Sequence, residues 1–127
     1  MSAYSKEDIP LVFEQEGIGW VRQATEGGIV IELSHFEPDL DIDHLFHGLP
    51  DDRCQCPHFG YVLEGEFVYR TAEGEITARA GQAYYVPPGH LPTTRDQACT
   101  LIEFSPADAM AETLAVVERN MAAAEAS

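Results

Sequence analysis

The chain has 127 residues, 45% of them hydrophobic and 23% charged, which suits one domain with a buried core and is too short for two. Seven Lys and Arg stand against 22 Asp and Glu, a formal net charge of −15. Such a balance repels phosphate backbones and anionic lipid surfaces, so it argues against nucleic-acid and membrane partners and favours a neutral or cationic ligand over an anionic one. No stretch approaches the roughly 18 uninterrupted apolar residues of a membrane span. The opening MSAYSKEDIPLVFEQEG carries acids where a secretory signal would carry its apolar core. A cytoplasmic protein is expected, with Cys54, Cys56 and Cys99 reduced.

In chain order, residues 1 to 16 show no clean period and are expected to form an arm with one edge strand. Ile18 to Thr25 and Ile29 to Phe36 are β-rich runs joined by Glu26-Gly27-Gly28, a hairpin turn signal. Glu37 to Asp52, EPDLDIDHLFHGLPDD, reads as a long acidic loop with a helical turn. A solvated connection is the favoured reading of it, with a pocket-covering role as the alternative. Five β-rich runs follow: Phe59 to Leu63, Phe67 to Thr71, Glu75 to Arg79, Ala83 to Val86 and Ala98 to Phe104, with Gly-containing turns between them. Many short strands without intervening helices predict an all-β sandwich or barrel. Ser105-Pro106 then carries the signature of a helix start. Met110, Leu114, Val117 and Met121 recur at helical spacing. This predicts an amphipathic C-terminal helix whose stripe packs on the barrel or on a second subunit.

Two motifs carry a family resemblance. YVLEGE at Tyr61 to Glu66 resembles the strand and tight turn that close the first motif of the cupin superfamily. GQAYYVPPG places Gly81, Pro87 and Gly89 at the spacings of its second motif. The resemblance implies a single cupin domain over 1–127, a double-stranded β-helix (jelly-roll) barrel over about 18–105 with the helix over about 106–123. It also implies metal positions. The acidic or amide ligand position falls on His58, the paired histidines on Asp52 and Cys54, and the final histidine on Pro92, with His90 two residues before it. Three of these four positions differ in residue type from the family pattern.

The residues make their own case. Cys54, Cys56 and His58 alternate through CQCPH, so an extended strand would point all three to one face. His90 keeps the facing of the usual ligand site if its segment is extended. Thiolate and neutral imidazole are ligands that zinc prefers and that also suit iron or copper. Two readings stand level: plain packing and hydrogen bonding of buried Cys and His, or a divalent metal, zinc first, on Cys54, His58 and His90, with Cys56 as the fourth ligand unless Pro57 bends the strand. His35, His44 and His47 read as strand-end or loop histidines, and Cys99 as core. Tyr61, Tyr84, Tyr85 and Trp20 are core or pocket-wall candidates.

Three functions fit such a pocket. One is a metal-dependent enzyme on a small organic substrate, with no catalytic residue assigned. The second is a non-catalytic module that binds or senses a small molecule. The third, a redox sensor built on the CxC thiols, is disfavoured by acidic surroundings that raise thiol pKa. The resemblance further implies a homodimer, paired through edge strands or the helix stripe.

Overall fold

The computed structural model describes residues 2–126. Eight strands, β1 (Leu11–Gln15), β2 (Gly19–Glu26), β3 (Ile29–Phe36), β4 (His58–Thr71), β5 (Gly74–Arg79), β6 (Ala83–Val86), β7 (His90–Thr93) and β8 (Cys99–Pro106), precede one helix, α1 (Ala107–Ala126). All strand pairings are antiparallel, and the main ladder runs β1-β2-β3-β8-β4-β5, with β6 and β7 also on β4. The β2–β3 hairpin turns on Gly27 and Gly28, at φ 60° and 76°. Both lie in the left-handed region that a two-residue turn of this twist requires.

β4 organises the barrel. The sequence reads as two strands broken at Glu64-Gly65, yet the chain runs on as one strand of 14 residues. Its register slips between Val62 and Glu64, and the bulge bends it from one sheet into the other. The first half pairs with β6 and β8, the second with β5 and β7. Gly65 sits at this corner with φ 78°, where a Cβ would lie 1.7 Å from the Ala98 carbonyl oxygen. A turn and a bulge ask for the same glycine, which is why the sequence pattern does not separate them. β7 has no counterpart in the sequence reading either. It contains Pro92, which is tolerated because β7 is a short outer strand.

The helix starts one residue later than its sequence signature. Ser105 and Pro106 still belong to β8, and the Ser105 hydroxyl turns into the barrel rather than capping α1. The stripe of Met110, Leu114, Val117 and Met121 packs inward beside Leu45, Phe46 and Leu49 of the acidic loop. That loop is therefore more than a solvated connection. Its 3-10 turn, Asp43–Phe46, buries Leu45 and Phe46. Arg70 holds it through Asp43 Oδ2 at 3.0 Å, and Asn120 of α1 donates to Leu45 O and His47 O, both at 2.8 Å. No helix among the described residues is long and apolar enough to cross a membrane.

Gly60 is a crowded position in the barrel wall with an ordinary backbone conformation. A Cβ there would lie 2.3 Å from the Tyr84 ring, which crosses directly over it from β6. Gly60→Ala should therefore lower stability by about 1–3 kcal/mol through overpacking, although alanine ordinarily suits a strand better than glycine. Urea unfolding of the purified variant reads this, and an unshifted midpoint would show that the ring moves aside freely.

Candidate metal centre and cavity

Cys54, His58 and His90 converge. All three are buried, and one ligand atom from each lies within 4.8 Å of the others. Cys54 stands just ahead of β4, tied to His90 by paired backbone hydrogen bonds, Cys54 N to His90 O at 2.9 Å and His90 N to Cys54 O at 3.2 Å. His58 opens β4 and His90 opens β7. The Cys54 Sγ lies 3.7 Å from His58 Nε2 and 3.4 Å from the Thr113 hydroxyl of α1.

The imidazoles are oriented from behind. His90 Nδ1 meets the Pro87 carbonyl oxygen at 2.7 Å. A carbonyl only accepts, so Nδ1 carries the proton and Nε2 presents its lone pair. That Nε2 is buried and has no hydrogen-bond partner among the described residues. Buried acceptors are rarely left unmatched. His58 Nδ1 meets the Ser105 hydroxyl at 2.6 Å, with Glu103 Oε2 at 3.7 Å behind it. Burial lowers both imidazoles from 6.5 to about 4, which leaves them neutral and able to ligate. Burial likewise pushes the Cys54 thiol up.

The set fits a divalent transition metal. A thiolate and an imidazole on one tetrahedral zinc, at roughly 2.3 and 2.1 Å, stand about 3.6 Å apart, close to the 3.7 Å between Cys54 Sγ and His58 Nε2.

A row of polar side chains underlies these donors. Gln23, Glu32, Glu103, Gly60 and Tyr84 are in register across β2, β3, β8, β4 and β6. Because Gly60 has no side chain, the Tyr84 hydroxyl reaches over it and donates to Glu103 Oε1 at 2.6 Å. Tyr69 donates to the same oxygen from β4's second half at 2.5 Å. Gln23 Nε2 donates to Glu32 Oε1 at 2.8 Å, and the Ser34 hydroxyl to Glu32 Oε2 at 3.0 Å. Burial raises both carboxyls to about 7, helped at Glu32 by the charge of Glu103 beside it.

Cys54, His58 and His90, with Gln23, Glu32 and Glu103 of the row, line a cavity of about 220 Å³. Apolar side chains make the rest of its wall, among them Phe36, Ile42, Phe46, Phe67, Leu101 and Met110, while Val12 and Glu118 stand exposed at its rim.

No family model and no curated protein matches the chain. Solved structures do. A protein of unknown function from Rhizobium leguminosarum bv. viciae superposes with a TM-score of 0.61 at 16% identity, over 83% of this chain and 95% of that one. The polyketide cyclase RemF from Streptomyces resistomycificus gives 0.58 at 19% identity, over 84% and 80%. A sugar phosphate isomerase of the cupin superfamily from Silicibacter pomeroyi gives 0.57 at 17% identity, over 83% and 75%. The chain has the cupin fold.

Within this cupin barrel the second motif forms β6 and the bend after it, while the first runs through a bulge instead of a turn, and the candidate donors come from a different set of positions. Asp52 is exposed and accepts from Gly48 N at 3.0 Å. Pro92 lines the cavity without a donor atom, and His90 supplies the imidazole instead. Cys56 does not join the group. Its thiol faces Pro57 O at 3.4 Å and Pro106 O at 3.9 Å, and burial pushes it up to about 12. The expected parity fails because regular pairing of β4 starts only at His58, so the stretch from Cys54 to Pro57 is free to twist, as its proline suggests. Cys99 lies in the main core. His35 bonds the Thr100 hydroxyl at 2.8 Å, and His47 sits on the surface beside Asp52.

Glu32, Glu103, Tyr69, Ser105 and Thr113 escaped the sequence reading. A signal existed for both acids. Glu32 shares its strand parity with Val30 and Phe36, and Glu103 with Cys99 and Leu101, which places each on the inward face.

The titration signs oppose one another. Both carboxyls hold protons more tightly folded than unfolded, so their stabilising share is complete below the ordinary 4.5 and is lost as pH rises through about 7. The imidazoles' share is complete above 6.5 and lost as pH falls through about 4. In metal-stripped protein, Glu32→Gln should therefore raise stability by about 1–3 kcal/mol at pH 8 and by much less at pH 5. Urea midpoints at the two pH values test this; a gain independent of pH would mean that Glu32 is not held as a strained carboxylate.

Proposed function

We propose that the cavity is a metal-dependent site for a small organic molecule, with Cys54, His58 and His90 holding one divalent ion. Zinc is the first candidate, iron or copper the next. The observation that carries this reading is the buried, unpartnered His90 Nε2 facing a thiol and a second neutral imidazole. A bound ion would supply Lewis-acid polarisation of an oxygen in the cavity. The chain's own residues do the positioning. Pro87 fixes the His90 tautomer, Ser105 and Glu103 orient His58, and Thr113 steadies Cys54. Three protein ligands leave a position open to water or substrate, as catalytic rather than structural sites do. The raised Cys54 pKa favours a second reading, in which the thiol stays protonated and the barrel binds a ligand without metal. Buried, high-pKa thiols are poor nucleophiles, so a redox-sensing CxC gains no support. The free state of all three cysteines suits the reducing cytoplasm expected from composition.

Untagged protein purified without chelator should carry about one transition ion per chain by elemental mass spectrometry. Cys54→Ser and His90→Ala should lose more than nine-tenths of it, whereas Cys56→Ser should keep it. An empty wild type after reconstitution under reducing conditions would leave the ligand-binding barrel as the surviving reading.

We also propose a homodimer, formed through an outer sheet face rather than the helix stripe, which packs inward. The outer face of β4, β6 and β8 exposes Phe59, Tyr61, Leu63, Tyr85 and Phe104 by 41–63%. At roughly 200 Å² per large apolar side chain, half exposed, these offer about 500 Å² per copy, or about 1,000 Å² for a two-fold pair, the lower bound of a specific interface. The wild type should sediment as a dimer at micromolar concentration and Phe59→Lys as a monomer. A monomeric wild type would refute the pairing.

A further inference from the structure

The charges around the cavity point to the class of molecule it takes. None of the seven Lys and Arg lines it. Arg70 pairs with Asp43, Arg79 with Glu66, Arg95 with Glu75, and Lys6 lies over the Trp20 ring. Three carboxyls do line it, Glu32 and Glu103 inside and Glu118 at the rim. A carboxylate or phosphate ligand would therefore be desolvated with no side-chain counter-charge, which buried ions rarely tolerate. A bound divalent ion would soften the cost of that desolvation, because the Cys54 thiolate cancels only one of its two charges, so anions are excluded most strongly from the metal-stripped cavity.

A cationic ligand fares no better. The wall away from the donors is apolar, and the oxygens of the two inner carboxyls are already engaged by Gln23, Ser34, Tyr69 and Tyr84. An ammonium would lose its hydration without a firm anionic partner, and a metal ion would repel it.

Size and polarity complete the picture. Benzene occupies an apolar cavity of roughly 150 Å³, so about 220 Å³ admits a molecule near the size of two fused rings. The polar groups of its lining lie together: Glu32 is opposite Glu103 in the ladder, Glu103 Oε2 lies 3.7 Å from His58 Nδ1, and the His58 and His90 rings are 4.8 Å apart.

We infer that the cavity selects an uncharged, mainly apolar molecule of about bicyclic size that carries a hydroxyl at the end facing His90 and the Glu32–Glu103 pair. This deepens the small-molecule reading above and depends on that reading, but it does not depend on a bound metal.

One ring system with three head groups tests it. Binding of 2-naphthol, 2-naphthoate and 2-naphthylmethylammonium is followed by calorimetry at pH 7, on metal-stripped protein and separately on protein loaded with zinc. The naphthol should bind once per chain, at least tenfold tighter than either ion. Leu114→Trp, which fills the cavity from α1, should weaken it at least tenfold; Met121→Trp, nearer the rim, serves if the first variant does not fold. Gln23→Lys, which places a cation beside Glu32, should narrow the gap between naphthol and naphthoate at least fivefold. Equal or tighter binding of either ion, binding of none of the three, or indifference to the tryptophans would each overturn the inference. Discrimination kept by stripped protein that also fails to retain zinc would sink the metal reading alone. Zinc retained without discrimination would sink this inference alone.

Discussion

The barrel is built around a cost that its own sequence imposes: two carboxyls, Glu32 and Glu103, directly opposite each other on neighbouring strands and turned inward. Like charges so placed repel, and a buried polar group without partners costs more than most single contacts return. The arrangement survives because Gln23, Ser34, Tyr69 and Tyr84 donate to the carboxyl oxygens. It survives also because Gly60 leaves open the line along which Tyr84 reaches Glu103. The position that looks least informative in β4 is thus the one on which the polar row depends.

From that row outward, each element acts on the next. Glu103 and Ser105, two residues apart on β8 and therefore on one face, stand behind His58. The backbone pairing of Cys54 with His90 brings the thiol and the second imidazole to the same end of the barrel. Helix α1 touches the site through Thr113 and pins the acidic loop through Asn120. Helix, loop and the Cys54 end of the site consequently share one hydrophobic cluster, in which Leu45, Phe46, Cys54 and Met110 all lie. Loosening the helix would loosen the site.

How much of this could be read in the sequence follows from which features are local. Strand parity and glycine turns are local, and the β2–β3 hairpin, β5, β6, β8 and the helix follow them closely. The continuity of β4 is not local, because whether Gly65 makes a turn or a bulge depends on Ala98 approaching it from the next strand. Cys54 and His58 were legible as candidates in CQCPH, but what places Cys54 beside the imidazoles is its backbone pairing with His90, which no local spacing shows. The direction of Cys56 was not legible either, since it depends on a backbone that no ladder straightens between Cys54 and Pro57. The acids were legible in principle. An ionisable residue at an inward parity is a stronger signal than a histidine in a loop, because only hydrogen bonds from other strands make it tolerable.

The same logic separates the protein's outside from its inside. Its surface carries nearly all of a −15 formal charge, a field that draws metal cations toward the molecule and holds anions away. Its cavity reverses the emphasis: thiol, imidazoles and carboxyls are each driven by burial toward the uncharged form. A group neutralised by burial gains charge only when something compensates it, and the thiol's natural compensation is an ion that takes the place of its proton. The two proposed visitors, a cation small enough to be wrapped by three donors and a neutral molecule that needs no counter-charge, are the ones that such a surface and such a cavity would penalise least.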